Sequence, residues 1–364
     1  MAGKRPKVVA GLSGGVDSSV SCALLLDQGY EVIAVTMLMQ PCDEDSGGKR
    51  CCGAGAVQSA GEVCRQLGIE HRVVDMRERF ERQVLERAWR MYDSGMTPNP
   101  CVDCNRLVRF PVLADLAGRL GADMIATGHH AQTRMDPAGH VELVRGSDLQ
   151  KDQSYFLYGV ERRLLGKCIF PVGSMTKAKV RSIASERKLA SADRPESQDI
   201  CLEHLGMGFS ELLRLRFAKP ARRGEIVDED GNVLARHDGI HRFTIGQRKG
   251  LGVGLGKPVY VASIDAKSAK VVVTSDARAL HGTRLVAGEV SWFTKPSRQW
   301  RSAEAQIRYR HKPAECRFRE SEGMLEVEFT SSQRAITPGQ SVVIYGGDRV
   351  VCGGVIKEVG HGRG

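Results

Sequence analysis

The stretch KVVAGLSGGVDSSVSCALLLDQG, residues 7–29, decides how this chain starts to fold. Val8, Val9 and Ala10 form a short apolar run suited to a strand buried on both faces. Gly11 to Ser19 are then almost all small, and apolar residues return with helical spacing until Gly29 closes the segment. Small residues at a strand-to-helix junction let the backbone curl into a nest of N–H groups facing an anion, and the helix N-terminus adds a favourable dipole. Ser13, Ser18 and Ser19 can add hydroxyl donors to phosphate oxygens. The alternative is a tight turn with no ligand. The stretch lacks the lysine of G-x-x-x-x-G-K-[ST] and is not G-x-G-x-x-G, which argues against a dinucleotide. Asp17 suits either Mg²⁺ at the phosphates or a cap on the helix.

Working outward, the spacing predicts strands at EVIAVTMLM (31–39), HRVVDM (71–76) and ADMIATG (122–128). Helices are expected at 56–68, at RFERQVLERAWRMYDSG (79–95) and at RFPVLADLAGRLG (109–121). Strands alternating with helices imply an α/β domain with a doubly wound, mostly parallel sheet, whose ligands bind beyond the carboxyl ends of the strands. After about residue 205 the pattern changes to short β-type runs with Gly-rich turns, including EDGN at 229–232. Seven runs from KVVVTS (270–275) to VVCGGVIKEV (350–359) read as a small antiparallel β-barrel. The expected division is therefore 1–205, a catalytic α/β domain; 206–268, a small β-rich central domain; and 269–364, a C-terminal barrel.

A chain of 364 residues exceeds what one core usually organises. Its 41% hydrophobic and 26% charged residues are globular rather than disordered proportions. Lys+Arg 53 against Asp+Glu 43 gives a net charge of +10, which favours an anionic partner, nucleic acid before membrane, or else only a solvated basic surface. The apolar run after the basic start breaks before a signal segment is complete, and no run is long enough to span a membrane. A cytoplasmic location is expected, with the 11 cysteines mostly reduced and clustered ones more suited to ligation or catalysis than to structural disulfides.

The string S-G-G-V-D-S, Ser13 to Ser18, resembles the pyrophosphate (PP) loop of ATP pyrophosphatases. That resemblance implies cleavage of ATP between its α- and β-phosphates and placement of AMP on a carbonyl-type oxygen. An adenylated carbonyl needs a nucleophile, and cysteines beside such a loop suggest exchange of oxygen for sulfur. TPNPCVDCN (97–105), ATGHHA (126–131), KDQSYFLYG (151–159), RPESQDICLEH (194–204) and FTIGQRKGLGVG (243–254) add several separate motifs in order. Together these resemble the tRNA-specific 2-thiouridylase family across nearly the whole chain.

The resemblance implies ATP-dependent thiolation of the wobble uridine of tRNA. Gly11, Leu12, Ser13, Gly14, Gly15, Val16, Asp17 and Ser18 would bind ATP phosphates, with Met37 and Gly128 near the adenine or ribose. Cys104 would be the nucleophile and Cys201 the carrier of persulfide sulfur. Lys151, Asp152, Gln153, Arg308 and Tyr309 would contact tRNA, Asn99 and Pro100 would lie against the target base with Cys101 beside them in the same tRNA-binding segment, and His129 and Gln340 would influence tRNA selection. The implied partners are ATP with Mg²⁺, the anticodon loop of tRNA and a sulfur donor.

Cys101 departs from the family pattern, which commonly has Asp after Asn-Pro. Cys101, Cys104 and Cys201 could supply three thiolates to a [4Fe–4S] cluster with one open iron; alternatively Cys101 is a bystander and a persulfide delivers the sulfur. A Cys₃ zinc site is a weaker fit, since structural zinc usually takes four protein ligands. Cys42, Cys51, Cys52 and Cys64 form a second group without histidine at finger spacing, and Cys64 falls on an apolar helical face. Two other functions remain open from sequence: a small-molecule amide synthetase of the same superfamily, and an RNA-binding protein without catalysis.

Overall fold

The computed structural model describes residues 5–39, 54–194, 208–254 and 256–360. Its contacts divide the chain into two compact units, 1–84 with 101–201 and 348–350, and 85–100 with 202–347 and 351–364.

The first unit is built on a five-stranded parallel sheet. Its strands are β1 (Lys7–Gly11), β2 (Glu31–Leu38), β3 (Glu70–Asp75), β4 (Met124–Thr127) and the two-residue β7 (Cys168–Ile169), in the order β3-β2-β1-β4-β7. Val8, Val9 and Ala10 are almost completely buried, as a central strand covered on both faces requires. One face packs Val8, Ala10, Val32 and Ala34 against Leu25 of helix α1 (Val16–Asp27) and Val63 of helix α2 (Ala54–Leu67). On the other face, a methyl added to Gly11 would stand 3.3 Å from Leu113 in the helix Phe110–Arg119. Helices on both faces make the sheet doubly wound, as the alternation of the sequence implies. The strand order reverses between β1 and β4, so the crevice at their carboxyl ends is the natural ligand position.

Among the local features that differ from the sequence reading are a divided helix and an added hairpin. The helix expected over 79–95 is Arg77–Phe80 and Glu86–Asp93 joined by a π-helical turn, Glu81–Leu85. A hairpin, β5 (Ala131–Met135) and β6 (Val141–Arg145), follows β4 where periodicity gave no signal. Its turn depends on the Asp136 carboxylate, which accepts from the Ala138 and His140 amides at 2.9 and 2.8 Å.

The second unit holds two β-structures. Strands β8 (Gly224–Val227), β9 (Val233–His237), β10 (Tyr260–Asp265) and β11 (Lys270–Thr274) form a sheet in the order β10-β11-β8-β9 over a core containing Ile226, Phe243, Val261 and Val271. The EDGN turn joins β8 to β9, as expected, whereas the run KVVVTS, expected as the first run of the barrel, is β11 of this sheet, paired with β8 and β10. Strands β12 (His281–Trp292), β13 (Arg301–Gln306), β14 (Ala314–Ser321), β15 (Met324–Arg334), β16 (Ser341–Gly346) and β17 (Arg349–Gly360) follow in the order β12-β15-β14-β13-β16-β17. Antiparallel pairing of β17 with β12 closes them into a six-stranded barrel around Leu285, Phe318, Leu325, Ile344 and Ile356. Closure removes the sheet edges that an open antiparallel sheet would expose. Among the described residues, no helix is long and apolar enough to cross a membrane.

Candidate functional site

The loop after β1 is held open by hydrogen bonds to its own backbone. Gly14 has φ +74°, and its carbonyl accepts from Ser59 Oγ at 3.1 Å and the Arg194 guanidinium at 3.0 Å. Ser18 Oγ donates to the Gly15 carbonyl at 3.0 Å and accepts from the Ser13 amide at 3.2 Å. Ser19 Oγ also donates to Gly15, at 2.9 Å. The loop thus enters the N-terminus of α1 as a tight turn of small residues, the arrangement that receives phosphate. Gly128, just beyond β4, lies against that first helical turn. A Cβ there would stand 2.6 Å from the Ser18 nitrogen and 2.7 Å from the Asp17 carbonyl carbon, so only glycine fits without displacing backbone.

Asp17 is the electrostatic centre of this loop. Lys177 Nζ lies 2.5 and 2.6 Å from its two carboxylate oxygens, and His130 Nε2 lies 3.2 Å from Oδ1. Burial alone would raise the Asp17 pKa; the hydrogen bond to His130 and the charge and hydrogen bond of Lys177 outweigh it and hold the carboxyl below its ordinary value. Lys177 opens the helix Lys177–Glu186, capped by Thr176, and is itself buried. Neither Lys177 nor His130 is identifiable as a loop partner from sequence. The only local signals are the paired histidines of ATGHHA and the capping Thr of TK.

Gln153 brackets His130: its Oε1 accepts from the His130 backbone amide at 2.9 Å, while its own backbone N–H donates to the His130 carbonyl at 2.8 Å. Beside it, Asp152 is buried and its carboxylate is fully engaged within the protein. It accepts from the Gly146 amide at 3.0 Å, the Ser154 amide at 3.0 Å, Ser154 Oγ at 2.9 Å and the Arg145 guanidinium at 2.9 Å. Lys151 is half-buried on the same turn.

His129 packs between Phe110 and Phe170, with ring centroids 5.8 and 6.2 Å away, and pairs with Thr127 Oγ1 through Nδ1 at 2.8 Å. Burial, reinforced by the charge of Arg109, pushes its pKa down to about 3, so the ring is neutral at physiological pH. Met37 is buried near the end of β2, beside Thr36, whose hydroxyl donates to the Leu12 carbonyl at 2.8 Å.

Cys104 begins a π-helical turn, Cys104–Arg109, directly after the short helix Pro100–Asp103. The thiol is buried and contacts Met39 Sδ at 3.6 Å. Burial pushes its pKa up to about 11; the nearby Arg109 charge opposes this, and Cys101 and Asp103 add to it. Arg109 thus acts on both the Cys104 thiol and the His129 ring. Cys101 is half-exposed. Cys201, together with Cys42, Cys51 and Cys52, lies outside the described residues. Cys64 is buried among Cys22, Val63 and Leu25, the core position its helical face implies. Among the described residues, no three His, Cys, Asp or Glu side chains gather into a metal site.

In the second unit, Asn99 and Pro100 follow a segment gripped by Gln340, whose side-chain amide donates to the Thr97 and Pro98 carbonyls at 3.1 and 2.9 Å. Arg308 is exposed and Tyr309 half-exposed on the turn between β13 and β14. Arg308 donates to the Arg334 carbonyl at 3.1 Å, and the Arg310 guanidinium lies 5.7 Å from the Tyr309 ring centre.

Comparison with known proteins gives this geometry a family. A family model described as the tRNA methyl transferase HUP domain matches residues 6–204. Models of the tRNA methyl transferase PRC-barrel domain and the aminomethyltransferase beta-barrel domain match 215–275 and 282–356. The tRNA-specific 2-thiouridylase MnmA of Nostoc sp. is 43% identical over 357 residues, covering 97% of this chain and 99% of that protein. Its counterpart from Heliobacterium modesticaldum is also 43% identical, covering 96% and 92%. Among solved structures, a 4-thiouridine synthetase–RNA complex with bound ATP aligns with TM-score 0.38 and 19% identity over 52% of this chain and 43% of that one. The chain belongs to the tRNA-specific 2-thiouridylase family.

Proposed function

We propose that the protein is an ATP-dependent tRNA sulfurtransferase that replaces O2 of the wobble uridine with sulfur. The observation that carries this reading is the Ser13–Ser18 loop at the head of α1, with Asp17 held by Lys177 and His130, in a chain 43% identical over nearly its full length to a tRNA-specific 2-thiouridylase. ATP enters as its Mg²⁺ complex. The loop amides and the Ser13 and Ser18 hydroxyls receive the phosphates, and Lys177 with Asp17 sets the charge beside them. Attack of the uracil oxygen on the α-phosphorus releases pyrophosphate and leaves AMP on O2, turning a poor leaving group into a good one.

The terminal sulfur of a Cys201 persulfide then attacks C2. AMP departs as the C2–S bond forms, and Cys104 attacks the sulfur of Cys201. The resulting Cys104–Cys201 disulfide frees the thiocarbonyl, and a thiol reductant restores both cysteines. Cys104 must lose its proton for this step, and Arg109 is the nearby cation that favours the thiolate. The sulfur donor is a persulfide carrier or a sulfide source.

A second sulfur route is favoured by one observation: Cys101 and Cys104 stand one helical turn apart, in Pro100–Asp103 and at the start of Cys104–Arg109. Cys101, Cys104 and Cys201 would then hold a [4Fe–4S] cluster, which supplies an open iron able to bind sulfide. The donor types fit such a cluster, and two of the three thiols are described.

The anticodon loop presents a base that leaves its stack at modest cost. Asn99 and Pro100 receive that base, while Lys151, Gln153, Arg308 and Tyr309 contact the RNA. Asp152 serves by shaping the turn that carries Lys151 and Gln153. His129, being neutral, acts on tRNA selection by shape and hydrogen bonding, as does Gln340. In this division of labour, 1–205 carries the chemistry, 206–268 contacts tRNA and 269–364 positions it. The discriminating experiment is ATP–pyrophosphate exchange with and without tRNA. Exchange that requires tRNA supports thiolation, exchange without it indicates an amide synthetase, and tRNA binding without exchange indicates an inactive binder.

A further inference from the structure

The turn that follows β6 reaches Lys177 and His130, both bonded to Asp17. At its far end, Gln153 holds His130 by accepting from its backbone N–H and donating to its carbonyl. At its near end, Asp148 Oδ2 accepts from the Lys177 backbone amide at 3.0 Å. The same carboxylate shapes the turn itself, since Oδ1 accepts from the Gln150 amide at 3.2 Å. The Asp148 carbonyl accepts in addition from the Lys151 amide at 2.9 Å. Leu149 at the tip is 72% exposed. One side chain thus bonds on one side to the backbone leading to Lys151, and on the other to the residue whose ammonium sits on Asp17.

The two segments lie close together around this bond. The Ser147 amide donates to the Gly173 carbonyl at 2.9 Å, so residues 147–148 run beside 173–177. A Cβ at Gly146 would stand 2.6 Å from the His130 oxygen, and one at Gly173 would stand 1.8 Å from the Ala131 oxygen, so both segments press on the backbone that carries His130. Lys177 is the first residue of its helix, where the amide has no intrahelical acceptor and a carboxylate meets the positive end of the helix. A cap needs one oxygen for that amide. Asp148 uses both of its oxygens, one on each segment.

We infer that Asp148 is a positioning residue that couples the turn carrying Lys151 to the phosphate loop: with RNA seated on the turn, its carboxylate holds Lys177 in register with Asp17 for adenylation. The inference rests on the reading above that Lys151 contacts tRNA and that the Ser13–Ser18 loop binds ATP. Ordering the joined segments for one ligand leaves less to be ordered for the other, so each ligand should tighten binding of the other by the same factor.

The test uses the full-length protein, an unmodified tRNA transcript and α,β-methylene-ATP, an analogue that cannot be cleaved at the reacting bond. Calorimetric titration gives the analogue Kd with and without saturating tRNA. The unsubstituted protein should bind the analogue at least about five-fold more tightly with tRNA present. In Asp148→Ala that ratio should fall below about two-fold, while the Kd of each ligand alone changes less than about two-fold. Asp148→Asn keeps one acceptor oxygen, enough to cap the helix but one short of the pair that bonds both segments, and should lose the ratio as well. A ratio near one in the unsubstituted protein, or an unchanged ratio in Asp148→Ala, would overturn the inference. An unchanged ratio in Asp148→Asn would also overturn it, leaving Asp148 a helix cap, as would equal weakening of the analogue with and without tRNA in either variant. If the unsubstituted protein binds the analogue but no tRNA, or if Lys151→Ala leaves tRNA affinity intact, the reading of tRNA contact is what has failed.

Discussion

Lys177 places its ammonium nitrogen 2.5 and 2.6 Å from the two carboxylate oxygens of Asp17, across 160 residues of sequence. The pair fixes the charge of the phosphate loop before ATP arrives. Removing Lys177 leaves a largely buried carboxylate whose remaining side-chain partner, among the described residues, is His130. Breaking a buried pair costs ~3–5 kcal/mol, and the partial exposure of Asp17 lowers the expected loss for Lys177→Ala to about 2 kcal/mol. Urea denaturation measures that loss, and ATP titration of the same variant should show affinity weakened at least about ten-fold, the equivalent of ~1.4 kcal/mol.

Gly128→Ala tests the closeness of β4 to the first turn of α1. The added methyl meets backbone atoms at 2.6 to 2.8 Å, and no flexible side chain can yield there. The loop must therefore shift, and calorimetric titration should detect little or no ATP binding in a protein whose circular dichroism is unchanged. Normal ATP affinity would show that the loop accommodates the displacement.

Asp152 and Lys151, neighbours in sequence, should separate in their effects. Asp152→Ala removes a buried carboxylate that accepts from the half-buried Arg145 guanidinium and from the Gly146 and Ser154 amides, costing about 3 kcal/mol or more in stability. Lys151→Ala should leave the unfolding midpoint unchanged while weakening tRNA binding and reducing the slope of log K against log salt by about one unit. Filter binding across a salt series, with thermal unfolding beside it, checks both.

The pH dependence of His129 has a definite sign. Its pKa is about 3 in the folded protein, below its value near 6.5 when unfolded, so the unfolded chain binds the extra proton between those limits. Stability from the neutral ring is complete above about pH 6.5 and declines as pH falls below it. In His129→Asn the slope of unfolding free energy against pH between 4 and 6 should flatten by about one proton equivalent. For Cys104 the shift runs the other way. With the thiol pushed up to about 11, alkylation by iodoacetamide should be slow at neutral pH and slower than at half-exposed Cys101. Peptide mass spectrometry resolves the two sites.

The β1–loop–α1 junction was legible because its information is local: an apolar strand, a run of small residues and a periodic helix adjoin. The six barrel strands were legible for the same reason, through alternation and turn residues. The hairpin β5–β6 escaped because the exposed face of Gln132–Met135 lacks an apolar repeat, and its turn depends on Asp136 bonding to its own neighbours. The π-helical turns at Glu81–Leu85 and Cys104–Arg109 share the composition of ordinary helix, so periodicity cannot distinguish them. Of the candidate site, the loop residues were readable, whereas Lys177 and His130 are brought to Asp17 only by the tertiary fold. Gln340 and Pro98 stand 242 residues apart, and nothing in either neighbourhood names the other.

The most direct measurement is the nucleoside composition of an unmodified tRNA transcript after incubation with the protein, ATP and a persulfide or sulfide donor. Digestion followed by mass spectrometry should show 2-thiouridine at the wobble position, dependent on ATP and absent with Cys104→Ala. Absence of 2-thiouridine with either donor in a protein that binds both ATP and tRNA would contradict the assignment, as would full thiolation by Cys104→Ala for the role given to that thiol.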